Sequence, residues 1–242
     1  MKPTLIVIGA DKGGVGKTTV ARSVLDYFSQ HNVFARAFDT EAPHGTLKRF
    51  FPAQTKIIDI NQTSDQMRVL DTLSTSEVKV TILDTRAGAL TSSLAALRDV
   101  GFLDAVKAAE FNFIVFHILG PSISSLGEIS ETAPYVTEAN YFLVKNYIND
   151  TTFFDWDPDT CHTYFDKVKS AGEVAIRKLN SMAYEQVEVA GTPFMNFIEN
   201  KDECGEPADH SFVLRGYVRT WQNKNSAEFD RIRLLDIVAG RA

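Results

Sequence analysis

Eight consecutive residues, Lys12-Gly13-Gly14-Val15-Gly16-Lys17-Thr18-Thr19, carry the clearest chemistry in the chain. The glycines free backbone N–H groups to turn inward around an anion, and a helix starting there would add the positive end of its dipole. Lys17 stands where a cation meets β- and γ-phosphate oxygens, and the Thr18 hydroxyl where a side chain ligates Mg2+. Such a loop would bind the phosphates of ATP or ADP through Gly13, Gly14, Val15, Gly16, Lys17, Thr18 and Thr19. The general pattern begins with a glycine at the position held here by Asp11. A GxGxxG dinucleotide fingerprint fails, because Thr19 stands at its third glycine.

Two further stretches hold carboxylates at the ends of predicted strands. Phe38-Asp39-Thr40-Glu41-Ala42-Pro43-His44-Gly45 has an acid-x-acid core, and Val80-Thr81-Ile82-Leu83-Asp84-Thr85-Arg86-Ala87-Gly88 ends a buried run on Asp84. An aspartate there can face Mg2+ through a water, and a glycine shortly after it can sense a γ-phosphate by its N–H. Acids in the first stretch would also suit capping of a following helix, Glu41 more than Asp39.

In this order the three stretches resemble the ParA/MinD superfamily of ATPases, whose deviant Walker A motif opens with a second lysine, here Lys12. The resemblance implies that Lys12 reaches across a nucleotide-sandwich dimer to the partner's ATP, coupling nucleotide state to self-association. It implies catalytic parts for Lys12, Lys17, Asp39 and Glu41, and a Mg2+ site at Thr18, Asp39 and Asp84. Asp39 would hold a Mg2+-bound water and Glu41 would orient the attacking one. The usual Asp-x-Asp-Pro-Gln-Gly form is altered here, with glutamate second and the proline shifted, which leaves the choice between Asp39 and Glu41 open. Prolines usually follow the Walker B aspartate. Arg86 in their place is either a switch-region charge for the dimer or a surface residue. Asn146 resembles the adenine contact of the superfamily, and Pro193-Phe194 the segment that covers the base. Identifiable motifs extend over about residues 1–150.

Positioning these residues takes an α/β fold with a mostly parallel central sheet flanked by helices, of the P-loop NTPase type, as one domain over 1–242. Strands are predicted at Thr4–Ile8, Val33–Phe38, Lys56–Ile60, Val78–Leu83, Asn112–Leu119, Tyr141–Lys145 and Val187–Ala190. Helices are predicted at 17–30, Asp65–Leu73 with Ser64 as N-cap, Ser92–Ala109, within Asp155–Ala183, and Ser226–Val238. Glu199–Ser211 reads as a loop.

Apolar residues at 44% and charged residues at 23% are ordinary for a soluble globular chain and exclude disorder over most of the length. The apolar run Phe111–Gly120 falls short of the ~20 residues that span a bilayer. Thr4–Ala10 leads into a glycine motif and not into a cleavage site, so a reducing cytoplasm is expected. Cys161 and Cys204 lie 43 apart with no CxxC, and the adjacent Cys161 and His162 point apart rather than at one ion, which argues against a zinc ribbon or a subunit-bridging cluster. His117, in an apolar strand, reads as a satisfied core histidine. Phe153-Phe154-Asp155-Trp156 reads as packing over a helix.

From Ser211 onward, Arg215, Arg219, Lys224, Arg231, Arg233 and Arg241 face three acids. A chain of net charge −6 is therefore +3 there and −9 elsewhere. That contrast suits nonspecific, salt-sensitive contact with DNA as a partition cargo. Asp230 and Asp236 interrupt the basic face, so the closing segment is expected to pack on the sheet and not lie on a membrane. A cargo-adaptor or activating protein is the other expected partner. The rival readings are a biosynthetic ATP-dependent ligase, a MinD-like or conjugation-related positioning ATPase, and a nucleotide-gated module without turnover.

Overall fold

Strand β1 (Thr4–Gly9) is buried at every position, with Ile6 and Ile8 in one apolar core and Leu5 and Val7 in the other. Alternation to opposite faces makes a central strand serve two layers at once. The computed structural model describes residues 2–148, 151–155, 157–165, 168 and 172–241. Trp156 and the Cys161 side chain lie outside the described residues. β1 is joined by β2 (Ala35–Asp39), β3 (Thr55–Ile57), β4 (Val80–Asp84), β5 (Asn112–Leu119), β6 (Asn140–Asn146) and β7 (Gly172–Ile176). Their order is β3-β2-β4-β1-β5-β6-β7, and every pairing is parallel. The expected α/β fold with a parallel central sheet is the fold observed.

Helices in chain order are α1 (Lys17–Gln30), α2 (Thr46–Phe50), α3 (Thr63–Thr75), α4 (Leu90–Asp99), α5 (Phe102–Lys107) and α6 (Ile123–Thr132). They continue with α7 (Pro158–Phe165), α8 (Ser181–Ala190), α9 (Phe194–Ile198), α10 (Phe212–Arg231) and α11 (Leu234–Ala239). One core draws on α1, α2 and α8 to α11, and the other on α3 to α6. Chain direction reverses around β1, which leaves a crevice at the carboxyl ends of β1, β2 and β4.

Several expected elements differ. The helix expected over Ser92–Ala109 breaks at Gly101, whose φ of 80° is the left-handed conformation that ends α4. Ser64 lies inside α3 and makes no cap, since the helix already begins at Thr63. The long helix expected within Asp155–Ala183 is instead α7, the edge strand β7 and the first turn of α8. Val187–Ala190 is helical, because Asn180 accepts from the Ala183 N–H at 3.1 Å to start α8 and Gly191, at φ 64°, stops it. The closing helix begins earlier than expected, at Phe212, and Arg233 at φ 58° divides it into α10 and α11. Phe229, Leu234, Ile237 and Val238 are buried, so this segment packs on the sheet. Phe153 is also buried, edge-on to Tyr147. Among the described residues no helix is long and apolar enough to cross a membrane.

Candidate functional site

The glycine loop joins β1 to α1. Gly16 ends it at φ 88°, and the α1 N-terminus then faces the crevice. Lys17, 8% exposed, folds back so that Nζ donates to the Lys12 carbonyl at 3.3 Å. Burial holds its ammonium below the usual lysine range, an effect opposed by the charges of Asp84 and Glu41. Asp11, at the position where the pattern has glycine, fastens the loop. Its N–H donates to Glu128 of α6 at 2.9 Å, and its carboxylate accepts from the N–H and hydroxyl of Thr91 in α4. Glu128 in turn lies 3.4 Å from His117 Nε2, while His117 Nδ1 meets the Tyr141 hydroxyl at 2.7 Å. His117 is thus the satisfied core histidine expected.

Thr18 donates its hydroxyl to Asp84 Oδ2 at 2.8 Å. Asp84 ends β4, and Asp39 ends β2 directly beside it in register. The Asp84 carboxyl is pushed up to about 8, first by burial and then by the charge of Asp39. Its Oδ1 is buried without a hydrogen-bond partner. Asp39 is also raised, by burial, against the pull of three backbone amides. Those amides belong to Glu41 and Leu47, each at 2.8 Å, and to Lys48 at 3.3 Å. Capping of α2 therefore falls to Asp39, contrary to the expectation that favoured Glu41. The exposed Glu41 accepts instead from the Thr46 hydroxyl.

Thr40 ties the two acidic segments together. Its N–H donates to the Asp84 carbonyl at 3.0 Å, and its hydroxyl accepts from the Arg86 N–H at 2.8 Å. Asn146, at the end of β6 and 3% exposed, donates Nδ2 to the Val15 carbonyl at 2.8 Å, while its Oδ1 has no hydrogen-bond partner.

A cavity of about 500 Å³ unites Gly14, Gly16, Lys17, Thr18, Thr19, Asp39, Glu41, Asp84 and Asn146. Lys12 is exposed and outside the lining of this cavity; Gly13 and Val15 are not part of the lining either, Val15 being buried in the core. Pro193-Phe194 does not cover the cavity. Phe194 is fully buried beneath it, against Trp221 and Arg22. The residues after β7, Arg177 to Leu179, line the cavity with Tyr184, Glu185 and Trp221. Sequence reasoning missed these residues, which gather only through the packing of α8 on α10.

The donor set suits a nucleotide phosphate with Mg2+. That ion takes one or two carboxylates, a hydroxyl, waters and phosphate oxygens and needs no cage of protein ligands. Among the described residues no three His, Cys, Asp or Glu side chains form such a cage. The unpartnered Asp84 Oδ1 is the acceptor that a metal-bound water would meet.

The architecture is also that of solved proteins. A nucleotide-binding protein from Archaeoglobus fulgidus in complex with ADP superposes with a TM-score of 0.52 at 13% identity, over 77% of this chain and 86% of the other. The septum site-determining protein MinD from Pyrococcus horikoshii, complexed with Mg-ADP, superposes with a TM-score of 0.51 at 13% identity, over 95% and 97%. The fold is MinD-like. No protein-family model matches the chain, and no curated protein matches it. On this MinD-like frame the loop, the acid pair and Asn146 come from the carboxyl ends of four parallel strands, where open sheets of this kind bind ligands.

Proposed function

We propose that this chain is a ParA/MinD-type ATPase in which Mg-ATP favours a homodimer, hydrolysis releases it, and the cycle positions a cargo. One observation carries the reading: a single cavity joins Lys17, Thr18 and the register-paired Asp39 and Asp84. In it the glycine loop and Lys17 would hold the β- and γ-phosphates, and Thr18, Asp84 and Asp39 would hold Mg2+, the two acids through its water ligands. Asn146 faces the adenine. Bound Mg2+ would supply charge neutralisation across the phosphates. Glu41 orients the attacking water once the Thr46 hydroxyl releases it. Phosphoryl transfer asks chiefly for such positioning and charge stabilisation.

Lys12 supports the dimer. Its side chain is exposed and does not line its own cavity, which supports reading it as a residue that acts on a second subunit. Molar mass by light scattering in Mg2+ tests this. A monomer with ADP and a dimer with ATP are expected, the dimer trapped by Glu41→Ala and lost in Lys12→Ala. An unchanged mass in every state would overturn the switch and favour a biosynthetic enzyme. For the cargo we propose plasmid or chromosome DNA, contacted nonspecifically through Arg215, Arg219 and Lys224, with an adaptor protein setting the timing.

A further inference from the structure

Arg86 stands where the resembling family has proline, and the fold gives it a defined place. Asp84, two residues earlier, ends β4, and the Arg86 N–H is held on the Thr40 hydroxyl. Ala87 runs beside the glycine loop, since a Cβ on Gly13 would lie 3.6 Å from the Ala87 side chain. Arg86 thus sits on the segment between the Asp84 strand end and the residue beside the glycine loop, and it lines the cavity. Its side chain is exposed and has no hydrogen bond or ion pair among the described residues, although its charge reaches Asp59. The other arginine of the cavity, Arg177, is occupied over the Tyr147 ring with 4.9 Å to the centroid. Lys17, Arg86, Arg177 and Lys178 are the cations that line the cavity, and of these Arg86 follows the Asp84 strand end by two residues.

We propose that Arg86 is a catalytic residue acting in cis, its guanidinium on the γ-phosphate oxygens as their charge shifts during hydrolysis. The proposal rests on the ATPase reading above. A bond forms from the water oxygen to the γ-phosphorus while the bond to the bridging oxygen breaks. The electron pair leaves on ADP, and the water's protons end on inorganic phosphate and in solvent. Arg86 exchanges no proton, because a guanidinium stays charged; it offers parallel N–H donors that match phosphate oxygens. A cation that meets the γ-phosphate and not ADP strengthens binding only of the state with the extra group.

The test compares wild type, Arg86→Ala, Arg86→Lys and Lys17→Ala. Turnover is measured alongside affinity for Mg-ADP and for Mg-ADP with aluminium fluoride by calorimetry. Arg86→Ala should lower turnover and affinity for the fluoride complex on the order of a hundredfold, with Mg-ADP affinity within about twofold. Arg86→Lys should regain part of both. Arg86 is exposed, so its truncation leaves the core intact. Unchanged fluoride-complex affinity would overturn the proposal, as would an equal loss for ADP. Turnover recovered on mixing Arg86→Ala with Lys17→Ala would place the guanidinium in trans and overturn the cis assignment. If wild type itself neither binds nor hydrolyses ATP, the ATPase reading falls and Arg86 falls with it. If wild type is active and Arg86→Ala equals it, only Arg86 falls.

Discussion

Asp39 and Asp84 end neighbouring parallel strands in register, and the protein's hydrogen bonds serve them unequally. Asp39 receives two backbone amides from the start of α2 and a third from Glu41, whereas Asp84 has the Thr18 hydroxyl on one oxygen and no hydrogen bond on the other. Burial and the neighbouring charge of Asp39 both disfavour ionised Asp84, and the charge of Lys17 offsets them only in part. Sheet register thus brings two strand-end acids together beside the glycine loop.

The first consequence is a metal-dependent stability with a defined pH sign. The Asp84 carboxyl, pushed up to about 8, titrates above its unfolded value. Its stabilising share is therefore full below about pH 4 and is lost as pH rises through about 8. Mg2+ favours the ionised form, so Mg-ADP should raise Tm more at about pH 9 than at about pH 6. Asp84→Asn should raise the nucleotide-free Tm at the higher pH by several degrees and remove the metal-dependent increment. Scanning fluorimetry checks this, and an increment that survives the substitution would refute it.

Asn146 fastens the loop from outside. Its amide holds the Val15 carbonyl, and Gly16 packs against it so closely that a Cβ there would collide with Nδ2. Asn146→Ala should weaken ADP binding about tenfold, combining a loosened loop with a lost base contact of about 1–1.5 kcal/mol. Asn146→Asp removes the donor to Val15 and should do no better. Equal affinity for all three proteins in a titration would show that the loop holds its shape unaided.

The glycine loop, the strand-end acids and the layered parallel sheet were legible because each is local: a spacing, an apolar run, a helix start. Asp39 as the cap of α2 was not, since Leu47 and Lys48 reach it only after Gly45 turns the chain. The far wall of the cavity was misplaced for a different reason. Val187-Glu188-Val189-Ala190 has β-branched alternation, yet Asn180 and Gly191 mark helix ends, and capping outweighed the alternation. With that strand misassigned, Pro193-Phe194 was expected at a cavity wall that Arg177–Leu179 line instead. Trp221 carries no local signal at all. It comes to the wall because its ring nitrogen donates to the Arg177 carbonyl.

Asp26 gives α1 a second pH dependence, away from the crevice. It is 2% exposed and pushed up to about 7 by burial, against the pull of Arg22 and the amides of Met195 and Phe194. A folded pKa above the unfolded one means stability lost as pH rises from about 4 through about 7. Asp26→Asn keeps an oxygen for those amides and removes the charge. Urea unfolding at about pH 5 and pH 8 should show wild type losing ~2–4 kcal/mol more than the variant. Parallel curves would mean that Asp26 stays ionised in the folded chain.

Arg22 is held differently. Its guanidinium lies 3.4 Å from the Phe50 centroid and 4.2 Å from that of Phe194, paired with Glu188 of α8 at 2.5 Å. Two of its nitrogens lack partners. Removing Glu188 leaves a buried cation, at a cost of about 3–5 kcal/mol, whereas an apolar replacement of the arginine removes the charge itself. Glu188→Ala should therefore destabilise strongly and Arg22→Met much less, and combining Glu188→Ala with Arg22→Met should recover much of the loss. A double variant no more stable than Glu188→Ala alone would remove the buried charge as the cause.

The proposed DNA contact divides the basic C-terminal residues by what already holds them. Arg231 pairs with Glu228, and Arg233 and Arg241 share Asp236, so these three carry little free charge. Arg215 and Arg219 both reach the Ile198 carbonyl at 3.4 Å, a neutral partner that leaves their charge uncompensated, and Lys224 is exposed. Neutralising those three together should weaken ATP-dependent binding to duplex DNA and flatten its salt dependence by about three phosphate contacts. Neutralising Arg231, Arg233 and Arg241 should change it far less. The check is a filter-binding series over salt concentration with ATP and with ADP. Binding that ignores salt, or that responds equally to both triplets, would remove DNA as the cargo while leaving the nucleotide site untouched.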